Sequence, residues 1–130
     1  MKASQLFIII LLGLSVQVNA QDQNTTTSNL KVIHTVLFKF IPNTSSEQID
    51  KLTAGIVKLK NTIPGIEMVS YGKNFSDRSS GFTYAVTLTF RDVAALETFY
   101  AHPEHKKLIN DLILPIKAAM LVIDYEQSVN

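Results

Sequence analysis

The 130-residue chain has no cysteine and no tryptophan. The missing cysteines exclude a disulfide scaffold, a thiolate zinc site and a thiol nucleophile in one step. A surplus of either charge is missing as well, with 12 basic residues against 11 acidic ones. A protein held on nucleic acid by phosphate contacts needs a basic surplus, so no nucleic-acid partner is expected. Glycine and proline are sparse, at five and four. No glycine-rich phosphate-binding motif occurs, and no cofactor is expected. What is abundant is apolar surface: 46% of the residues are hydrophobic, too many for a disordered chain. The length fits about one domain.

Residues 1–20 read as a secretory signal peptide. Lys2 precedes an apolar run from Leu6 to Leu14 that only Gly13 interrupts. Val18 and Ala20 then put small residues at the two positions that matter for a cut after Ala20. The run is shorter than the roughly 20 residues needed to cross a bilayer, so no stable membrane span is expected after cleavage. The expected product is exported, either periplasmic or secreted. Lys2 leaves with the signal, and the product carries no net charge, which favours self-association. Residues 21–31 (QDQNTTTSNLK) contain one large apolar residue and read as a disordered tether. Asn24, Asn43 and Asn74 each open a glycosylation acceptor triplet, a pattern too short to show use.

The folded unit is expected over 32–126, with 127–130 as a C-terminal tail. Residues 32–40 (VIHTVLFKF) alternate as a strand, with Val32, His34, Val36, Phe38 and Phe40 on one face. Ser45 and Gln48 form a capping box. The helix after it carries Ile49, Leu52, Ile56, Leu59 and Ile63 on one stripe. Gly55 inside that helix costs about 1 kcal/mol relative to alanine and marks a close contact. Pro64-Gly65 ends the helix. Residues 66–75 and 82–91 read as a hairpin, with Phe82, Tyr84, Val86, Leu88 and Phe90 on one side of the second strand. Asp92 caps a short helix over 93–101. Pro103 opens the next helix, with Leu108, Ile109, Leu112, Ile113 and Ile116 as its buried stripe, and Pro115 kinks or ends it. The last strand is expected over 119–126.

That order is β-α-β-β-α-β, an α+β, ferredoxin-like arrangement with helices on one face of a four-stranded antiparallel sheet. The other face is expected to carry Ile33, Leu37, Val69, Tyr71, Ala85, Leu121 and Ile123. Left wet, such a face is a large apolar patch. A second copy covering it gives a homodimer, with two sheets closed into a barrel.

Several stretches resemble the stress-responsive A/B barrel domain family, Dabb. They are HTVLFKF (34–40), IPGIEMVSYGKNFS (63–76), GFTYAVTLTFRDVAALETFYAHPEHKKL (81–108) and VIDYE (122–126). The most specific element is Tyr100-Ala-His-Pro-Glu-His105. The resemblance covers residues 32–126 and implies a dimeric α+β barrel. It implies no single function. Members include stress-associated proteins of unknown activity and a plant polyketide cyclase that closes a linear chain by aldol condensation. By that resemblance the cyclase's catalytic histidine falls on His105. Its catalytic tyrosine, three residues before the His-Pro pair, falls on Phe99, and Tyr100 is one step and about 100° further round the helix. A further pocket histidine of the cyclase falls on Tyr84.

The chemistry-bearing residues converge, by this reading, on a small cavity between sheet and helices. His34, Val36, Phe38, Tyr84, Val86, Leu88, Phe99, Tyr100, His102 and His105 are its expected lining. The leading expectation is an exported dimer that binds a small, mostly apolar molecule or serves a protective role. The second is an enzyme of cyclase, lyase or isomerase type. There a neutral His105 takes a proton next to a ketone, with His34 or Tyr84 assisting. A third is a structural assembly protein without a ligand. The histidines also have plain structural uses. His102 before a proline can cap a helix, His105 in the first turn can bond to a backbone carbonyl, and His34 can be a satisfied core residue. No metal is expected, since neighbouring positions such as Glu104 and His105 diverge on a helix.

Overall fold

Strand β1, Val32–Phe40, lies inside the sheet and carries its alternate residues into the core. The computed structural model describes residues 30–128; the expected signal peptide, residues 21–29 of the expected tether and the last two residues of the tail lie outside the described residues. Asn43 ends the first connection with a positive φ of 69°, a conformation asparagine tolerates. Helix α1, Ser46–Thr62, then begins at the expected capping box. The Gln48 N–H donates to Ser45 Oγ at 3.2 Å, and the Ser45 N–H donates to Gln48 Oε1 at 2.9 Å. Strand β2 is Ile66–Lys73 and β3 is Tyr84–Phe90. Helix α2, Val93–Ala101, is capped by Asp92, whose Oδ1 accepts the Ala95 N–H at 2.8 Å. Helix α3, Pro103–Leu108, runs on into a wide π-helical stretch, Ile109–Ile113, and β4 is Lys117–Glu126.

The sheet order is β2-β3-β1-β4, antiparallel throughout. The helices cover one face. Phe38, Phe90, Leu52, Ile63 and Val86 are the largest fully buried side chains between the layers. Each such side chain contributes about 2 kcal/mol relative to an exposed one. The hairpin, the helix breaks and the β-α-β-β-α-β chain order are as the sequence predicts.

Two differences have physical causes. A bulge between Ile66 and Met68 shifts the β2 register by one residue. An extra residue exchanges the faces of everything beyond it. Val69 and Tyr71, expected on the open face, therefore sit opposite Leu88 and Val86 on the helix side, and Val69 packs against the core. Met68 takes the open face instead, 55% exposed. The second difference lies near Pro115. Proline has no N–H to offer the Asp111 carbonyl, and its ring crowds that oxygen. The final turn widens, and the Leu114 N–H reaches the Ile109 carbonyl five residues back at 2.9 Å.

Gly65 locks the β2 entry to α2. Its φ is +93°, and a Cβ there would lie 2.4 Å from Ala95 Cβ. Its carbonyl accepts the Arg91 N–H at 2.9 Å. Gly65→Ala combines left-handed strain with a backbone-level clash and is expected to cost roughly 3 kcal/mol. Urea unfolding of the variant beside wild type measures it. A loss below half a kcal/mol would contradict the tight fit.

Candidate functional site

The site begins with strand parity. Because β1 is central, His34 is carried to the helix side and is only 4% exposed. A buried imidazole needs hydrogen-bond partners. Asp124 lies directly opposite on β4, and its Oδ1 is 2.6 Å from His34 Nδ1. From α2, the Tyr100 hydroxyl donates to Asp124 Oδ2 at 2.6 Å and lies 3.2 Å from His34 Nδ1. An ionised carboxylate only accepts, so it holds the hydrogen of His34 on Nδ1 and leaves Nε2 of the neutral ring with its lone pair. Burial, then the hydrogen bond to Asp124 and its charge, push the Tyr100 phenol far up. The phenol remains a donor at any physiological pH.

His105 arrives from the other side. His102 caps α3, its Nδ1 accepting the Glu104 N–H at 3.1 Å, and Pro103 takes the first helical position. The next turn then delivers His105 inward. Its ring lies against Phe99 with centroids 3.9 Å apart and planes tilted by 31°. Phe99 also meets His34 edge-on at 5.5 Å. His105 Nδ1 is buried and has no hydrogen-bond partner among the described residues. Burial is the main cause that lowers the His105 pKa below the ordinary imidazole value. The Tyr100 carbonyl is the next largest influence and opposes the depression, and electrostatic repulsion from His34, His102 and Lys106 adds to it. His105 is therefore a neutral base at pH 7.

Between these groups lies a cavity of about 30 Å³. His34, Val36, Phe38, Val86, Leu88, Phe99 and His105 line it, and Ile56, Leu59, Leu108 and Ile113 close it from the helices. A space of that size holds a water molecule and no organic ligand. Three residues expected in the lining are elsewhere. Tyr84 pairs with Phe38, four residues along β3 from Leu88, which pairs with His34. At about 3.3 Å per residue this puts it roughly 13 Å away. There it borders an open groove with Phe40, Ser46, Ile49, Asp50 and Lys73. Burial raises its phenol, and Tyr71 and Asp50 add to the rise. Tyr100 stands at the rim with its hydroxyl turned to Asp124, as the one-residue offset from Phe99 requires. His102 spends its Nδ1 on the helix cap. Among the described residues no three histidine, aspartate or glutamate side chains converge as metal ligands.

Asp124 was not among the expected site residues. The available signal was a carboxylate inside the apolar stretch AMLVIDY, on the face that strand pairing turns toward His34.

The depressed His105 pKa makes stability depend on pH. The unfolded imidazole titrates near 6.5. Below that value the unfolded chain takes up a proton before the folded one does, so stability falls as pH falls from about 6.5 toward the lower folded pKa. Above 6.5 this contribution is complete and flat. His105→Gln is expected to flatten the slope in urea unfolding series between pH 7 and pH 5. An unchanged slope would show that the ring titrates normally.

The model of the stress responsive A/B barrel domain matches residues 32–127. Olivetolic acid cyclase from Cannabis sativa is 26% identical over 98 residues, covering 74% of this chain and 96% of the cyclase. The structure of a hydroxynitrile lyase from Passiflora edulis superposes with a TM-score of 0.72 at 25% identity, covering 78% of this chain and 97% of that one. A dimeric ferredoxin-like protein of unknown function from a Jannaschia species does so with a TM-score of 0.66 at 25% identity, over 75% of this chain and 99% of that one. The chain belongs to the stress responsive A/B barrel domain family, Dabb.

Proposed function

We propose that this protein binds a compact, mostly apolar carbonyl compound on the helix side of its sheet and moves a proton on it, with His105 as the base. One observation carries the proposal: a buried, neutral imidazole whose Nδ1 makes no well-aligned hydrogen bond among the described residues, on the wall of an apolar cavity. Leaving a buried polar atom unpaired costs about 1–3 kcal/mol, a cost that a group serving only the fold has no reason to retain. A base with a pKa near or just below the working pH is suited to proton transfer. In the step proposed, the C–H bond next to the carbonyl breaks and its electron pair stays behind as the enolate. The proton forms an N–H bond on His105 and returns to carbon or to a leaving group. A cyclase and a lyase among the similar proteins support small-molecule chemistry at this fold.

Acetophenone is a suitable probe, because its methyl protons exchange slowly in heavy water without a catalyst. NMR is expected to show deuterium entering the methyl group at least tenfold faster with wild type than with His105→Gln of unchanged circular dichroism. Equal rates would remove His105 as a base. Tight binding of the ketone without exchange would make the protein a carrier.

The working unit, in this proposal, is an exported homodimer. The open sheet face supports it: Met68, Leu121, Ile123 and Tyr125 are all half exposed there. Strand β4 also shows Met120 and Val122 on its other side. Contiguous apolar surface of this kind marks an interface. The similar Jannaschia protein is dimeric. Native mass spectrometry of the protein from its own host is expected to give twice the mass of a chain beginning at Gln21. Leu121→Glu is expected to shift it to monomer. A wild-type monomer would contradict the dimer, and a retained residue 1 would contradict export.

A further inference from the structure

The groove beside Tyr84 takes no part in the site at His105, and none of its lining residues borders that cavity. Its volume is about 330 Å³, at the lower end of ordinary small-molecule pockets. Three elements build it. Helix α1 turns Ser46, Ile49 and Asp50 to one face, by the three- and four-residue spacing that stacks side chains on a helix. Strand pairing sets Lys73 directly across from Tyr84. From β1 comes Phe40, its ring 6.0 Å from that of Tyr84 and tilted by 52°. Phe40, Ile49 and Tyr84 are partly buried, while Ser46, Asp50 and Lys73 are exposed around them. An apolar wall with a polar border is the usual form of a small-molecule site.

The charges at this groove select its ligand. On the same helix Glu47 pairs with Lys51 at 2.8 Å. Asp50 has no cation three or four residues away on α1. Asp50 and Lys73 line one groove, yet neither makes an ion pair among the described residues. The Tyr84 phenol stands beside both. Burial, then Tyr71 and Asp50, raise its pKa, so its hydroxyl keeps the proton and remains a donor. We propose that this groove is a second binding site, for a free α-amino acid with an aromatic side chain. A zwitterion satisfies both charges at once. Its ammonium meets Asp50, and its carboxylate meets Lys73 and accepts from the Tyr84 hydroxyl. Its ring lies against Phe40, Ile49 and the ring of Tyr84, as aromatic groups pack by edge or offset contact. A simple anion of the same shape is repelled by Asp50 and a simple cation by Lys73, so the pair of charges discriminates against both.

Three probes test this by amide NMR of the intact protein: L-phenylalanine, 3-phenylpropionate, which lacks the ammonium, and phenethylamine, which lacks the carboxylate. Phenylalanine is expected to move the amide signals of Ile49, Lys73 and Tyr84 and to leave those of His34 and His105 in place. Each singly charged analogue is expected to bind about fivefold more weakly, the upper range of what an exposed ion pair contributes. Asp50→Asn is expected to remove the advantage over 3-phenylpropionate, and Lys73→Met the advantage over phenethylamine. Both side chains are exposed and unpaired, so both variants are expected to fold as wild type does. No binding of phenylalanine, equal affinities for the three probes, or advantages that neither variant moves would overturn the proposal. Shifts centred on His34 and His105 would place the amino acid in the inner cavity and overturn it as well.

Discussion

Phe99 is the wedge on which the site is assembled. It is almost wholly buried, and its ring meets Phe90 at 5.1 Å, His34 at 5.5 Å and His105 at 3.9 Å. One side chain thus ties α2 to the sheet and to α3. Its position fixes how far the two imidazoles stand apart and how dry they are. Desolvation is what depresses His105, so the base strength of that residue depends on this hydrocarbon packing more than on any charge. Replacing the phenyl ring by a polar group would supply a partner and undo the depression.

The same position separates this chain from the cyclase-type members it resembles. By that resemblance, their catalytic phenol falls where Phe99 stands. Here the hydroxyl is one residue later, on Tyr100, and the helix rotation carries it to the rim, where it serves Asp124. The cavity is left with two imidazoles and no phenol. In the proposed reaction proton transfer at its centre therefore falls to histidine alone, while the phenol and carboxylate act on the tautomer of His34 from outside. An overlapping fold with a different donor set is a reason to expect a different reaction from the cyclase's.

How much of this was legible in the sequence depended on how local its cause was. Period-two alternation put His34, Val36 and Phe38 on one face, and Val86 and Leu88 beside them, because sheet registry follows from hydrophobic pattern. The Asp92 and Ser45 caps and the proline at 103 were readable for the same reason: each is a contact within three residues. Features made by distant pairing were not. The bulge at Ile66–Met68 reversed Val69 and Tyr71 with no glycine or proline inside it, and the Pro64-Gly65 before it reads as the helix stop. Asp124 needed the β1–β4 register before it could be seen opposite His34. Tyr84 shares a face with Leu88, so pattern alone placed it in the cavity, but a strand is long enough to carry it to another groove. The size of the cavity is set by side-chain rotamers and is invisible to pattern altogether.

Strand β4 joins the two halves of the molecule's behaviour. It is an edge strand, apolar on both sides, and it also carries Asp124. In the single chain the Asp124 side chain is about one-third exposed, at 34%. Water competes there for the carboxylate and screens its hold on His34 and Tyr100. Asp124 shares its side of the strand with Met120 and Val122, whereas Leu121, Ile123 and Tyr125 point to the open face. A cover on the open face alone therefore leaves that water in place. Only a contact that reaches round the edge onto Met120 and Val122 excludes it, and that contact strengthens the hold on the His34 tautomer, since a charge-assisted hydrogen bond gains as the local dielectric falls.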